Sequence, residues 1–239
     1  MKIEELGYEM TPLGELTLRR RLEPLLNDRE VFEVKLGDEY LMSSLFTESE
    51  RQLAILGLAP LTGQLDVVIG GLGLGYTAVE ALKNRNVRGI LVIDLFQPVI
   101  DWHQRGLVPN GEIINNDPRC QLRQGDFFAL ARTGFDTDDL TRRFDSVLLD
   151  IDHSPEHYLD PENGSFYTTD GLTAIKDQLK PDATFALWSN DPAEDGFAAH
   201  LTSVFGSATA QNVEFPNPYT SSTSINSVYV AQNTFRRRE

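Results

Sequence analysis

Residues 208–232 read ATAQNVEFPNPYTSSTSINSVYVAQ, two strand-forming runs at 208–215 and 225–232 separated only by the loop PNPYTSSTS. A crossover between parallel strands needs about a dozen residues or more, so these runs cannot be parallel neighbours. The stretch therefore predicts an antiparallel strand inserted at the end of the sheet.

Upstream, from Asp66, strands and helices alternate. DVVIGG, GILVIDL, RCQLRQGD, FDSVLLDID and KPDATFALWS read as strands. YTAVEALKNR, PVIDWHQRGL, residues 127–132, TTDGLTAIKDQLK and AEDGFAAHLTSVF read as helices. Such alternation gives a doubly wound sheet with right-handed crossovers. The predicted fold class is thus α/β, with a mostly parallel seven-stranded sheet over residues 47–239. Residues 1–46 are a separate small N-terminal β region. There GELTLRRRL is a strand, and VFEVKL and EYLMSS flank Gly37-Asp38 as a β-hairpin. Thr47-Glu48-Ser49-Glu50 has the capping-box pattern and opens a helix that Gly57 and Pro60 would close.

The bulk properties exclude several function classes. Acids outnumber Lys plus Arg by 36 to 21, a net charge of −15. Phosphate contacts supply most nucleic-acid affinity, so no nucleic-acid partner is expected, and the acidity suits cationic or neutral small substrates. No apolar run approaches the ~20 residues of a membrane helix, and MKIEELGYEM lacks the apolar core of a signal peptide. The single cysteine, Cys120, rules out an internal disulfide and favours a reducing, cytoplasmic location.

The candidate site starts at VVIGGLGLGYTAVEAL, residues 67–82, where Gly70, Gly71, Gly73 and Gly75 follow the first strand. A parallel sheet binds ligands beyond the carboxyl ends of its strands, and glycines let backbone approach them. Asp94 ends the second strand, 19 residues after Gly75, where a carboxylate accepts both ribose hydroxyls. Asp126 ends the third strand, placed to accept from an adenine amine. The plainer reading of both acids is helix capping. The fourth strand ends in Asp150 and Asp152, on one face if the strand continues, able to hold a cationic amine and take its proton. The plainer reading of Asp150 is a cap on the next segment. Three acids at successive strand ends suit a nucleoside with a cationic tail better than a pyrophosphate. Gly73 to Ala78 also fits the dinucleotide pattern, which keeps nicotinamide cofactors as a minor alternative. His153 and His157 read as loop residues near a site entrance, so no metal site is assigned. His103 reads as a partly exposed helix residue, and Cys120 as a small hydrophobe opening a buried strand. Trp188 reads as a pocket wall or a core residue.

These residues resemble the spermidine synthase (polyamine aminopropyltransferase) family from about residue 30 onward. The resemblance is clearest in VVIGGLGLG, VIDLFQPVIDWHQRGL, DPRCQLRQGDFF, FDSVLLDID and SFYTTDGLTAIKDQLKPDATFALW. Five parallel strands plus a terminal hairpin are also the layout of class I S-adenosylmethionine-dependent methyltransferases. The resemblance implies decarboxylated S-adenosylmethionine as co-substrate and a small amine as acceptor. It further implies that Asp94 binds ribose, Asp126 adenine, and Asp150 serves as the base. The family's glycine loop reads Gly-Gly-Gly-Asp-Gly-Gly, its acid binding the donor amine; Gly73 stands at that place here. Its Asp-Ser-Ser-Asp-Pro motif is Asp150-Ile151-Asp152-His153-Ser154-Pro155, and its Tyr-His-Glu is Glu50-Arg51-Gln52-Leu53. A kept donor site and an altered acceptor site follow. Three readings stand at this stage: aminopropyl transfer, methyl transfer from S-adenosylmethionine, and nucleoside binding without catalysis. A homodimer is compatible with each.

Overall fold

The computed structural model describes residues 3–151 and 153–234. The N-terminal region is a four-stranded antiparallel sheet in the order β1 (Ile3–Thr11), β2 (Gly14–Glu23), β3 (Arg29–Leu36), β4 (Glu39–Ser43). The hairpin expected at Gly37-Asp38 is its last turn. The first strand escapes sequence reading because hardly any of it is buried, so it carries no clean two-residue alternation.

Helix α1 (Glu48–Leu58) begins after Thr47 as expected, but the capping box does not form. The Thr47 hydroxyl instead accepts from Arg51 Nε at 3.3 Å, and Glu50 is turned inward and buried. Gly57 lies inside the helix rather than closing it. A Cβ there would stand 2.5 Å from Leu148 Cδ2, so the glycine lets the helix lie close on the main sheet.

That sheet has seven strands. They are β5 (Leu65–Gly70), β6 (Val87–Asp94), β7 (Cys120–Gln124), β8 (Phe144–Leu149), β9 (Leu179–Ser189), β10 (Gly206–Asn217) and β11 (Ser222–Asn233). Their spatial order is β10-β11-β9-β8-β5-β6-β7, with β5 to β9 parallel. Strand β11 runs antiparallel to both neighbours, β9 and β10, which is the insertion that the short terminal loop demanded. Central β5 is buried throughout, as a parallel strand covered on both faces must be. Strand β7 is the edge and is only half-buried, so Cys120 opens an edge strand rather than a buried one.

Two hydrophobic cores cover the two faces. One is capped by α1, α2 (Tyr76–Lys83), α3 (Gln97–Gln104) and α4 (Gly111–Asn116), a short helix with no sequence signal beyond buried Ile114. The other is capped by α5 (Phe127–Thr133), α6 (Thr169–Asp177) and α7 (Asp195–Phe205). Leu16, Leu18 and Val34 of the N-terminal sheet join the first core, beside Leu74 and Trp102. A buried polar clamp adds a second tie. Arg21 donates to Glu33 at 2.9 Å and to the Tyr219 hydroxyl at 2.6 Å, and pairs with Glu23, to which that hydroxyl donates in turn. Tyr219 sits in the β10–β11 turn, so the clamp fixes the small sheet beside the carboxyl ends of the large one. No helix among the described residues is long and apolar enough to cross a membrane.

Candidate functional site

A cleft of about 1030 Å³, open to solvent, lies beyond the carboxyl ends of β5, β6 and β8. Its walls include Gly71, Gly73, Asp94, Asp126 and Asp150, so five of the sequence-assigned residues share one site. Leu13, Val34 and Leu41 of the N-terminal sheet close it from above.

Strand β5 ends at Gly70, which packs against the Phe127 ring. Gly71 has φ +92°, and a side chain on it would run into the backbone of Asp150, whose carbonyl carbon would be 2.9 Å away. Only glycine accommodates both demands. Gly73 and Gly75 also have positive φ, and Gly75 is the left-handed residue before α2, against Ile114 and His103. Leu72 and Leu74 between them point into the core and leave the cleft floor to backbone.

Asp94 is almost wholly buried and organises the loop. Its Oδ2 accepts the Leu72 N–H at 2.9 Å and its Oδ1 the Phe96 N–H at 2.8 Å. Burial raises its carboxyl above the usual range, against these backbone hydrogen bonds. The Gly73 N–H is a third backbone donor to this carboxylate, and with about two acceptor sites per oxygen the group keeps capacity toward the cleft that it lines. Asp126 both caps and lines: Oδ1 accepts the Phe128 and Ala129 N–H groups at 2.9 and 3.1 Å, while the residue remains exposed in the cleft wall.

Strand β8 ends at Leu149, so Asp150 follows the strand and does not lie on it. The continuing strand on which the alternation of Asp150 and Asp152 was argued is therefore not there, and Asp152 lies outside the described residues. Asp150 is anchored by its N–H to the Gly70 carbonyl at 2.8 Å and by the Thr77 hydroxyl, which donates to Oδ2 at 2.7 Å. Burial pushes its carboxyl upward.

Three contributors were not assigned from sequence. Glu50 is buried beside Asp150, and burial plus that neighbouring charge push its carboxyl upward too. Its signal was periodicity: residues 50, 53, 54, 57 and 58 form one buried helical stripe. Thr77, first-turn on α2, carried no signal. His103 is fully buried, contrary to the exposed reading. Its Nε2 donates to the Gly73 carbonyl at 3.0 Å, its Nδ1 has no partner, and burial lowers its pKa to about 4. His103 shares the buried stripe of Val99 and Ile100, which would have revealed it. Trp188 packs against the first core and lines a second cleft, with Nε1 buried and unpartnered. Cys120, its thiol pushed up to about 12 by burial, is no nucleophile. His153 and His157 lie near Glu39 and Asp191 at 3.8 and 3.5 Å. Among the described residues no three His, Cys, Asp or Glu side chains gather to hold a metal.

The spermine/spermidine synthase domain matches residues 50–226, which carry this whole arrangement apart from the N-terminal sheet. The chain belongs to that family. Among its relatives, the polyamine aminopropyltransferase of Pyrobaculum islandicum is 29% identical over 132 residues, 54% of this chain and 44% of that protein. That of Pyrobaculum aerophilum is 25% identical over 147 residues, 61% of this chain and 48% of that protein. The matches span less than half the length of these relatives. Spermidine synthase in complex with the transition-state analogue AdoDATO shares the fold, at TM-score 0.74 and 19% identity over 96% of this chain and 73% of that one. So does the Thermotoga maritima spermidine synthase, at TM-score 0.73 and 19% identity over 96% and 72%.

Proposed function

We propose that this protein transfers an aminopropyl group from decarboxylated S-adenosylmethionine to a small amine. One observation carries the reading: the cleft is lined by five carboxyl side chains, Asp94, Asp126, Asp150, Asp160 and Glu162, against one guanidinium, Arg132. S-Adenosylmethionine itself adds a carboxylate tail, which such a lining repels; the decarboxylated donor carries only positive charges. The names of the relatives support the same choice.

In this scheme Asp94 accepts the ribose hydroxyls and the free Oδ2 of Asp126 accepts the adenine amine. The side-chain-free floor at Gly71 and Gly73 lets the nucleoside lie against backbone. The donor supplies a carbon activated by the adjacent sulfonium. Asp150 takes a proton from the acceptor's ammonium group. The freed nitrogen lone pair then bonds to that carbon while the C–S electron pair leaves with sulfur, giving a neutral thioether and a secondary ammonium. Residues 1–46 act as the lid of a catalytic unit spanning residues 47–239. The single cysteine supports a cytoplasmic location, and the net charge of −15 argues against a nucleic-acid partner.

Gly73, which brings no charge to the place of the donor-amine acid, is the one observation favouring methyl transfer. A calorimetric series decides between the readings. Tighter binding of decarboxylated S-adenosylmethionine than of S-adenosylmethionine is expected, with methylthioadenosine also bound. Preference for S-adenosylmethionine would make the protein a methyltransferase. Binding of NAD and of none of the three would end the donor assignment.

A further inference from the structure

Two clefts adjoin at Leu41 of β4. The donor cleft contains Asp150; a second, of about 980 Å³, is lined by Glu50, Trp188, Asn190 and Asn226, and Leu41 borders both. Around Glu50 the polar groups are nearly all acceptors. Its Oε2 and the Asn226 Oδ1 compete for the single hydrogen of Ser49 Oγ, each at 3.2 Å. The Asn226 amide donates away, to Asn190 at 3.0 and 3.1 Å. The Thr77 hydroxyl lies 3.3 Å from the Glu50 carbonyl but is committed to Asp150 at 2.7 Å.

Cations do not fill the deficit. Among the described residues neither Glu50 nor Asp150 forms an ion pair. Arg51, the next residue, directs its guanidinium to Glu80 at 3.4 Å and over the Tyr76 ring at 5.1 Å. Tyr76 on α2 and Asp150 are the other titratable groups that Glu50 feels. Glu50 is buried and Asp150 half-buried, and the one guanidinium whose charge reaches Glu50, that of Arg51, is engaged by Glu80, so the two like charges disfavour double ionisation at neutral pH. What the pocket lacks is a positively charged group with several N–H donors.

We infer that Glu50 is a second carboxyl group of the reaction site, holding one proton jointly with Asp150 until a primary ammonium group enters and replaces it. The displaced proton passes to solvent, and the ionised pair then positions the ammonium for Asp150. The pair titrates as one unit, and burial raises both members. Glu50 is a positioning residue for a cationic amine, which excludes neutral nucleophiles such as thiols and alcohols as acceptors. This inference rests on the aminopropyl-transfer reading.

The test is titration of 1,4-diaminobutane into protein saturated with methylthioadenosine, by calorimetry in buffers of different ionisation enthalpy near neutral pH. Wild type releases about one proton per diamine bound, and Glu50→Gln about none, because Asp150 without its rival is already ionised. Should Glu50→Gln fail to fold, the wild-type release must itself fall toward zero at alkaline pH. Equal release by wild type and Glu50→Gln, release that persists at alkaline pH, or diamine binding without release would each overturn the inference. Binding of methylthioadenosine without binding of diamine overturns it too, yet leaves the donor site standing. Failure to bind methylthioadenosine removes the function reading itself, and this inference with it.

Discussion

Replacing Gly71 by alanine tests the closest approach in the site, that of the glycine loop to the backbone of Asp150. The substitution has two components. At φ +92° an L-residue is disfavoured by about 1–2 kcal/mol. The new Cβ would also stand 2.9 Å from the Asp150 carbonyl carbon and 3.2 Å from Ile151 Cγ1, with the carbonyl oxygen nearer still. Backbone must then move, and overpacking of this kind costs about 1–3 kcal/mol. The total is roughly 2–5 kcal/mol, and at about 2–4 °C per kcal/mol for a chain of this size the Tm falls by roughly 4–20 °C. Gly63→Ala separates the components, because Gly63 has φ +80° with nothing within 4 Å of a Cβ. It should lose only the conformational share of roughly 1–2 kcal/mol and keep full turnover. Gly71→Ala should lose turnover by about 10²-fold, since it displaces Asp150. Thermal unfolding by circular dichroism and single-turnover assays read both effects. Equal Tm values and equal rates for the two variants would refute the apposition of Gly71 and Asp150.

Three further outcomes are expected. Asp94→Asn should weaken methylthioadenosine binding by about 10–100-fold in calorimetry, the worth of about 1.5–3 kcal/mol for hydrogen bonds to a charged acceptor; unchanged affinity removes Asp94 from the ribose site. His103, whose pKa drops from 6.5 to about 4 on folding, binds fewer protons in the folded than in the unfolded state between those values. Its contribution is complete above pH about 6.5 and is lost as pH falls through about 4, by about 3 kcal/mol. Urea unfolding of wild type against His103→Gln over that window should show the difference, and parallel curves would contradict the buried neutral imidazole. Arg21→Met strips buried Glu23 of its guanidinium partner, while Glu33 keeps Arg19 at 2.6 Å, and should destabilise by about 3–5 kcal/mol; a change below about 1 kcal/mol in urea melts would show that the clamp contributes nothing.

How much was legible in the sequence depended on how strongly burial marks each element. Strand β5 and its glycines were legible because an all-apolar run followed by four glycines has few other uses. The antiparallel insertion of β11 was legible from loop length alone. Strand β1 was not, since its exposed residues follow no two-residue pattern. Asp94 and Asp126 were legible by position at or just past strand ends, and so was the capping of α5 by Asp126; that Asp94 also holds the glycine loop at Leu72 was not. Glu50 was hidden because Thr47-Glu48-Ser49-Glu50 has the letters of a capping box, and local hydrogen bonding competed there with tertiary burial. The alternation argument for Asp150 and Asp152 required a strand that in fact ends at Leu149.

The most direct measurement is mass spectrometry of the products formed from decarboxylated S-adenosylmethionine and 1,4-diaminobutane by wild type and Asp150→Asn. Wild type should yield methylthioadenosine and a diamine enlarged by one aminopropyl group, while Asp150→Asn binds methylthioadenosine normally and forms neither product. A methylated product from S-adenosylmethionine, or undiminished turnover by Asp150→Asn, would contradict aminopropyl transfer with Asp150 as its base.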